Sequence, residues 1–323
     1  MLLAGDIGGT KTLLGLFDAV PARPRPVLVR AFGTLDYADL QAMIAEFLKE
    51  SGQAHGAIES ACFGVAGPVV GETVKVTNVP WFVDARRVAA ALGVARVSLL
   101  NDLEALAHAV PVLRESETHV LQEGEALRGG NIGLIAAGTG LGQALLHNID
   151  GRFVPSASEA GHADFAARTE REIAITRALT KRYGRADVEH VVSGRGLVNI
   201  HRVAHQQPCA AAVDLESHDA PAAISMAAME RTCPGCVETL DVFVEAYGAE
   251  AGNLALRFVS TGGLYVGGGI APKILPALTT GAFMRAFRAK PPLGPMLSAM
   301  PVKVILDAES GLLGAAVFAA GHR

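Results

Sequence analysis

The chain has 323 residues, 28 basic and 32 acidic side chains, a formal net charge of −4, 50% hydrophobic residues and 36 Gly. That length exceeds the roughly 100 to 200 residues of one domain, so it implies two lobes or one large α/β unit. The small negative charge gives no general pull toward nucleic acid or an anionic membrane, which leaves specific small-molecule binding as the open class.

The N-terminus reads as a first strand rather than a secretion signal. Met1-Leu2-Leu3-Ala4 lacks a basic flank, and Gly5 and Asp6 interrupt it. The most apolar stretches, 132–146 and 311–321, fall short of the roughly 18 to 20 apolar residues that cross a bilayer. The expectation is a soluble cytoplasmic protein without a membrane or nucleic-acid partner.

Apolar runs at 2–5 and 13–17 flank a glycine-rich turn, and the Pro-rich run 21–26 is a turn that no central strand would contain. A strand resumes at 27–32. Leu40, Ile44, Phe47 and Leu48 have helical spacing, and 60–65 is a short buried strand. Strands at 73–76 and 97–100 bracket a helix at 85–92. Antiparallel hairpins thus feed a partly parallel α/β sheet. From Asn131 a second strand, glycine turn and strand repeats the opening pattern about 130 residues on. Residues 170–257 read as helical with a loop at 206–222, 265–270 as a strand entering a glycine turn, and 302–306 as a last strand before a Gly/Ala-rich helix.

The first hairpin, Gly5-Asp6-Ile7-Gly8-Gly9-Thr10-Lys11-Thr12, is not a Walker A loop, because Thr10 separates Gly9 from Lys11 and a strand follows. It is either a plain β-turn or a loop whose backbone N–H groups and Thr10 and Thr12 hydroxyls face an anion. Asp6 in such a loop would repel phosphate unless Mg²⁺ lay between them. Gly138-Thr139-Gly140-Leu141-Gly142 is the second hairpin and lacks the Rossmann spacing. Two such hairpins could clasp the β- and γ-phosphates of a nucleotide. Asn101-Asp102 ends a strand and opens a helix, as an ordinary N-cap or as a carboxylate at the ligand-binding end of a sheet. Glu159, His162 and Glu189 suit polyol recognition, or they are loop side chains meeting solvent.

Cys62, Cys209, Cys233 and Cys236 are too few and too scattered for a disulfide framework. Cys233-Pro-Gly-Cys236 has no second Cys-x-x-Cys or Cys/His pair to complete a zinc site, so it reads as two thiols at a tight turn. His201 and His205 read as surface histidines.

Taken together and in order, Gly5-Asp6-Ile7-Gly8-Gly9-Thr10, Leu100-Asn101-Asp102, Gly138-Thr139-Gly140-Leu141-Gly142, Glu159-Ala160-Gly161-His162, Ser193-Gly194-x-Gly196-Leu197-Val198-Asn199 and Gly267-Gly268-Gly269-Ile270 resemble the bacterial glucokinases of the hexokinase, Hsp70 and actin superfamily. The resemblance implies two actin-like (ribonuclease H-like) α/β lobes with a central cleft and mixed sheets flanked by helices, 1–103 with 307–323 and 104–306. It implies transfer of the γ-phosphoryl group of ATP to the 6-hydroxyl of glucose, with Asp102 as general base and lobe closure around the sugar. Asn101, Glu159, His162, Glu189 and Asn78 would bind the sugar. Asp6, Gly8, Gly9, Thr10, Lys11, Gly138, Thr139, Gly140, Gly268 and Gly269 would bind the nucleotide, with Asp6 next to Mg²⁺ directly or through water. Members are usually homodimers. Ala163-Asp164-Phe165-Ala166 follows His162 where the related ROK kinases and repressors carry a Cys-rich zinc motif, so no structural zinc is expected. A sugar sensor on the same fold could dispense with Asp102, and an acetate-kinase-like or chaperone ATPase would have no need of Glu159-Ala160-Gly161-His162.

Overall fold

A computed structural model describes residues 1–52, 58–205 and 208–321 of the chain. Two compact units divide it: Met1–Arg114 with Phe153–Ala157 and Asp307–Arg323, and Glu115–Arg152 with Ser158–Leu306.

The first unit opens with strands Leu2–Ile7 (β1), Lys11–Asp18 (β2) and Arg25–Gly33 (β3), helix Leu40–Ser51 (α1) and strand Ser60–Val65 (β4). Short strands Val69–Val70 (β5), Thr73–Lys75 (β6) and Phe82–Asp84 (β7) form a small sheet of their own; helix Ala85–Leu92 (α2), strand Val97–Asn101 (β8) and helix Asp102–Ala109 (α3) follow. The main sheet has the order β3-β2-β1-β4-β8, antiparallel across β1, β2 and β3 and parallel across β1, β4 and β8. Strand β1 is apolar from Leu2 to Gly5 because both its faces are covered there. Leu3 and Ile7 join Leu14, Leu40, Phe47 and Phe63 on one face. Leu2 and Ala4 join Leu100, Ala105, Leu312 and Ala316 on the other, where α3 and the C-terminal helix Ser310–Gly321 lie.

Helix α1 runs three residues past the predicted Leu48, to Ser51, where Gly52 at φ 65° supplies the left-handed C-cap. Pro26, expected in a turn, lies inside β3 opposite Phe17, beside a register shift. The reason is that β3 is an edge strand, where a missing N–H needs no partner.

Chain order continues with strands Thr118–Gln122 (β9), Ile132–Ala137 (β10), Leu141–Ile149 (β11) and Arg152–Ser158 (β12). Helices Glu170–Tyr183 (α4), Gly194–Ala204 (α5), Ala220–Met229 (α6) and Pro234–Phe258 (α7) fill the predicted helical region. Strand Gly263–Gly267 (β13), helices Leu275–Leu278 (α8), Ala282–Arg288 (α9) and Gly294–Ala299 (α10) and strand Val302–Ile305 (β14) complete it. Strands β11, β10, β13, β14 and β9 are neighbours in that order. The β10–β11 hairpin is antiparallel and β10, β13 and β14 are parallel, which repeats the arrangement of β2, β1, β4 and β8. A hairpin followed by parallel strands, found twice, is the ribonuclease H-like pattern of actin-like proteins.

Helix α7 is the second unit's spine: Phe243, Tyr247 and Leu254 pack with Ile135, Val192, Ile224 and Phe283. Pro234 sits at the start of α7, where its missing N–H costs nothing, so the Cys-x-x-Cys segment is a helix's first turn rather than a turn before one. Gln206 and Gln207 of the predicted loop lie outside the described residues, as do His322 and Arg323. The placement of His201 at the surface is wrong. That side chain is 3% exposed, because α5 turns it inward beside Ile200 and Leu197. Cys233 and Cys236 do have companions, since Cys209 and His205 meet them in space.

Candidate active site

The β1–β2 hairpin is fixed from behind by Thr34. Its hydroxyl donates to Gly8 O at 2.8 Å and pairs with the buried Thr12 Oγ1 at 2.9 Å, and its N–H donates to Thr10 O at 3.0 Å. Thr12 therefore points into the unit, not at an anion as the sequence suggested. Thr10 and Lys11 are exposed at the tip. The Gly8 N–H donates to Lys11 O at 3.1 Å, and a Cβ at Gly8 would stand 2.8 Å from that oxygen. Gly9 faces Asn78, an exposed residue at φ 61°, and a Cβ on Gly9 would lie 3.8 Å from the Asn78 Cβ.

Asn101 ends β8 and caps α3: its Oδ1 accepts the Leu103 N–H at 3.0 Å and its Nδ2 donates to Gly67 O at 3.2 Å. That grip holds the next residue, Asp102, exposed at the first position of α3, beyond the carboxyl end of a parallel strand. Asp6 lies at the corresponding end of β1. Burial first, and then the charge of Asp102, push its carboxyl up to about 6 against the opposing pull of Lys11. The first turn of the C-terminal helix backs Asp6: a Cβ on Gly311 would come 2.7 Å from Asp6 Oδ2. Gly311 was not singled out from sequence, where it looks like one more small residue in a Gly/Ala-rich helix.

In the second unit the β10–β11 hairpin closes through Gly138 N–H to Gly140 O at 2.8 Å. Gly138 O accepts the Gly194 N–H at 2.8 Å, which brings the N-terminus of α5, capped by Ser193, against the hairpin. Ile270 N–H reaches Ala137 O at 3.2 Å, and Gly268, at φ 83°, packs on Ala137 so closely that a Cβ would collide with that carbonyl. Gly138, Thr139, Gly268 and Gly269 thus gather at the carboxyl ends of β10 and β13, with Thr139 and Gly269 exposed. Helix N-termini and such glycine turns favour anions.

Glu189 braces this hairpin: its Oε2 accepts the Leu141 N–H at 2.9 Å and its Oε1 accepts from Arg195 Nη2 at 3.0 Å. A carboxylate has about four lone-pair sites, so two remain. Glu189 N–H donates to Gly161 O at 2.9 Å, tying it to the Glu159–His162 loop. His162 Nε2 lies 3.9 Å from Glu159 Oε2 and its Nδ1 lies 3.8 Å from Asp187 Oδ2. Asp187 and Arg195 are neighbours of the predicted set that the sequence did not reveal. Asp187 Oδ1 accepts the His190 N–H at 2.8 Å, a short local bond that fixes the turn carrying Glu189.

A glycine turn at strand ends in each unit, a carboxylate leading a helix in the first and a loop of Glu and His in the second are the features expected of a phosphotransferase of the actin-like fold. Comparison with known proteins agrees. The glucokinase family model matches residues 3–322. The glucokinase of Nostoc punctiforme is 39% identical over 99% of each chain. The crystal structure of a glucokinase from an Antarctic psychrotroph superposes with a TM-score of 0.87 at 28% identity, covering 99% of this chain and 98% of that one. A ROK family glucokinase from Streptomyces griseus, solved with glucose and AMPPNP, shares the fold at a TM-score of 0.65 and 23% identity over 99% of each chain. The chain belongs to the glucokinase family and is a hexose kinase.

Proposed function

We propose that this enzyme transfers the γ-phosphoryl group of ATP to the 6-hydroxyl of glucose. The observation that carries the reading is Asp102, exposed at the head of α3 and held there by the two hydrogen bonds of Asn101. Asp102 accepts the proton of the 6-hydroxyl as that oxygen attacks phosphorus; the O–P bond to ADP breaks, and glucose 6-phosphate and ADP leave. Phosphoryl transfer proceeds through a loose transition state, so alignment and charge stabilisation supply most of the rate.

Asn101, Asn78, Glu159, His162 and Glu189 are assigned to the sugar. Gly8, Gly9, Thr10, Lys11, Gly138, Thr139, Gly140, Gly268 and Gly269 are assigned to the nucleotide, a reading supported by their place at strand ends. Asp6 offers hard carboxylate oxygens of the kind Mg²⁺ takes, directly or through water, and the repulsion it feels from Asp102 is what a cation would relieve. When bound, Mg²⁺ would neutralise charge on the phosphates. The two lobes, 1–103 with 307–323 and 104–306, close on the sugar so that water does not compete as nucleophile. The working form is a cytoplasmic homodimer, a state that light scattering of the purified protein checks.

The test is Asp102→Asn. A positioned base contributes about 10²- to 10⁴-fold, so kcat for glucose 6-phosphate formation should fall at least about 100-fold with circular dichroism and nucleotide affinity retained. Near-normal turnover rejects Asp102 as the base. Turnover on another hexose in place of glucose redraws the sugar pocket, and ATP hydrolysis independent of sugar rejects the kinase assignment of these residues.

A further inference from the structure

Away from that site, three thiols and two imidazoles converge in the second unit. Cys209 Sγ lies 3.8 Å from Cys233 Sγ and 3.8 Å from Cys236 Sγ, and His205 Nε2 lies 3.1 Å from Cys233 Sγ. The sulfur atoms of Cys209, Cys233 and Cys236 all fall within 4.8 Å of one another, as do ligating atoms of His201, His205 and Cys209. Three separate pieces of chain supply them: the end of α5, the segment before α6 and the first turn of α7.

The spacing has a meaning. A tetrahedral site with Zn–S bonds of about 2.3 Å has sulfur-to-sulfur edges of about 3.8 Å, the distance seen on both Cys209 edges. Hydrogen bonds between thiols are too weak to explain why three should gather. A disulfide could join only two of them. Beside the cluster, His201 is 3% exposed, its ring centroid is 4.5 Å from that of His205, and neither of its ring nitrogens has a hydrogen-bond partner among the described residues. An adjoining cavity of about 610 Å³, lined by His205, Pro208, Cys233, Pro234 and Glu238, gives an ion a way in.

We propose that Cys209, Cys233, Cys236 and His205 bind one zinc ion at a structural site. Thiolate and imidazole donors in a closed tetrahedron select zinc over magnesium or calcium. Each cysteine that is a thiol gives up its proton to solvent on binding; the metal stays divalent and nothing is oxidised. The site pins the rear end of α5, whose front end, through Gly194, holds the Gly138 carbonyl of the second hairpin. Its role is therefore to position, and it does not touch the reacting atoms.

The full-length protein is purified under reducing conditions and its zinc content measured, and a second sample is loaded with Co²⁺ alone. One zinc per chain and a cobalt spectrum with thiolate charge-transfer and tetrahedral d–d bands are expected. Cys209→Ser and Cys236→Ser should abolish the charge-transfer bands, whereas a wild-type sample without them overturns the proposal. Should either variant fail to fold, the wild-type cobalt spectrum and zinc count decide by themselves. Recovery of a Cys233–Cys236 disulfide from native metal-free protein, with no zinc taken up after reduction, also overturns it.

Discussion

Gly140 shows how little room single positions leave. A Cβ there would stand 2.5 Å from Glu189 Oε2, the oxygen that holds the Leu141 N–H. Gly140→Ala should displace Glu189 and cost about 1–3 kcal/mol of stability by overpacking, with KM raised for both substrates. Thermal melts and steady-state kinetics check this, and an unchanged melting temperature would mean that Glu189 yields without loss. His190 carries a pH signature. Burial holds its imidazole below the ordinary value, with the Asp187 charge pulling the other way. A histidine kept neutral in the fold takes up a proton on unfolding, so stability is full above the unfolded value of about 6.5 and declines as pH falls below it. The loss of melting temperature between about pH 7.5 and pH 5.5 should be smaller in His190→Asn than in the parent. Equal slopes would assign the acid sensitivity elsewhere. Glu159, His162 and Glu189 could be singled out as candidates in sequence because polar side chains of that kind stand close together in loop segments. Asp187 and Arg195 could not, since a carboxylate beside a histidine and an arginine among glycines acquire meaning only through the contacts of the folded loop.

At the level of elements, the first hairpin is only as firm as the residue behind it. Thr34→Val keeps the shape but removes the hydroxyl shared by Gly8 O and the buried Thr12 Oγ1. Stranding those groups should cost about 1–3 kcal/mol and raise KM for ATP more than KM for glucose. Kinetics in which both constants move equally would separate the hairpin from nucleotide binding. Strand β4 and helix α2 have the limits read from sequence because polar and glycine residues bound them: Asp84 caps α2 and Gly93 ends it. Thr34 could not be read the same way, since its partner Gly8 is 26 positions distant and nothing local marks the pair. The thiol cluster was hidden for the same reason. Helix α6 and its loops separate Cys209 from Cys233, and only the packing of α5 against α7 closes that gap.

For the molecule as a whole, the proposed closure makes a measurement of shape informative. Saturating glucose should reduce the radius of gyration in small-angle scattering and change the emission of Trp81, which is buried with its indole N–H donating to Tyr37 O at 3.2 Å. No change in either would remove closure from the mechanism. The two-fold recurrence of the sheet pattern was legible as two glycine hairpins about 130 residues apart. The strand pairing that makes each a ribonuclease H-like sheet was not, because parallel neighbours such as β1 and β4 are distant in sequence. The face of the first sheet that holds Leu2, Cys62 and Leu100 is covered by Leu312, Ala315 and Ala316 from the last helix. During synthesis that apolar face therefore stays open after residue 100 has emerged, until the helix at Ser310–Gly321 follows it and completes the core. Premature termination anywhere before residue 310 would release a chain whose oldest strands are still uncovered, a natural target for chaperones and proteases.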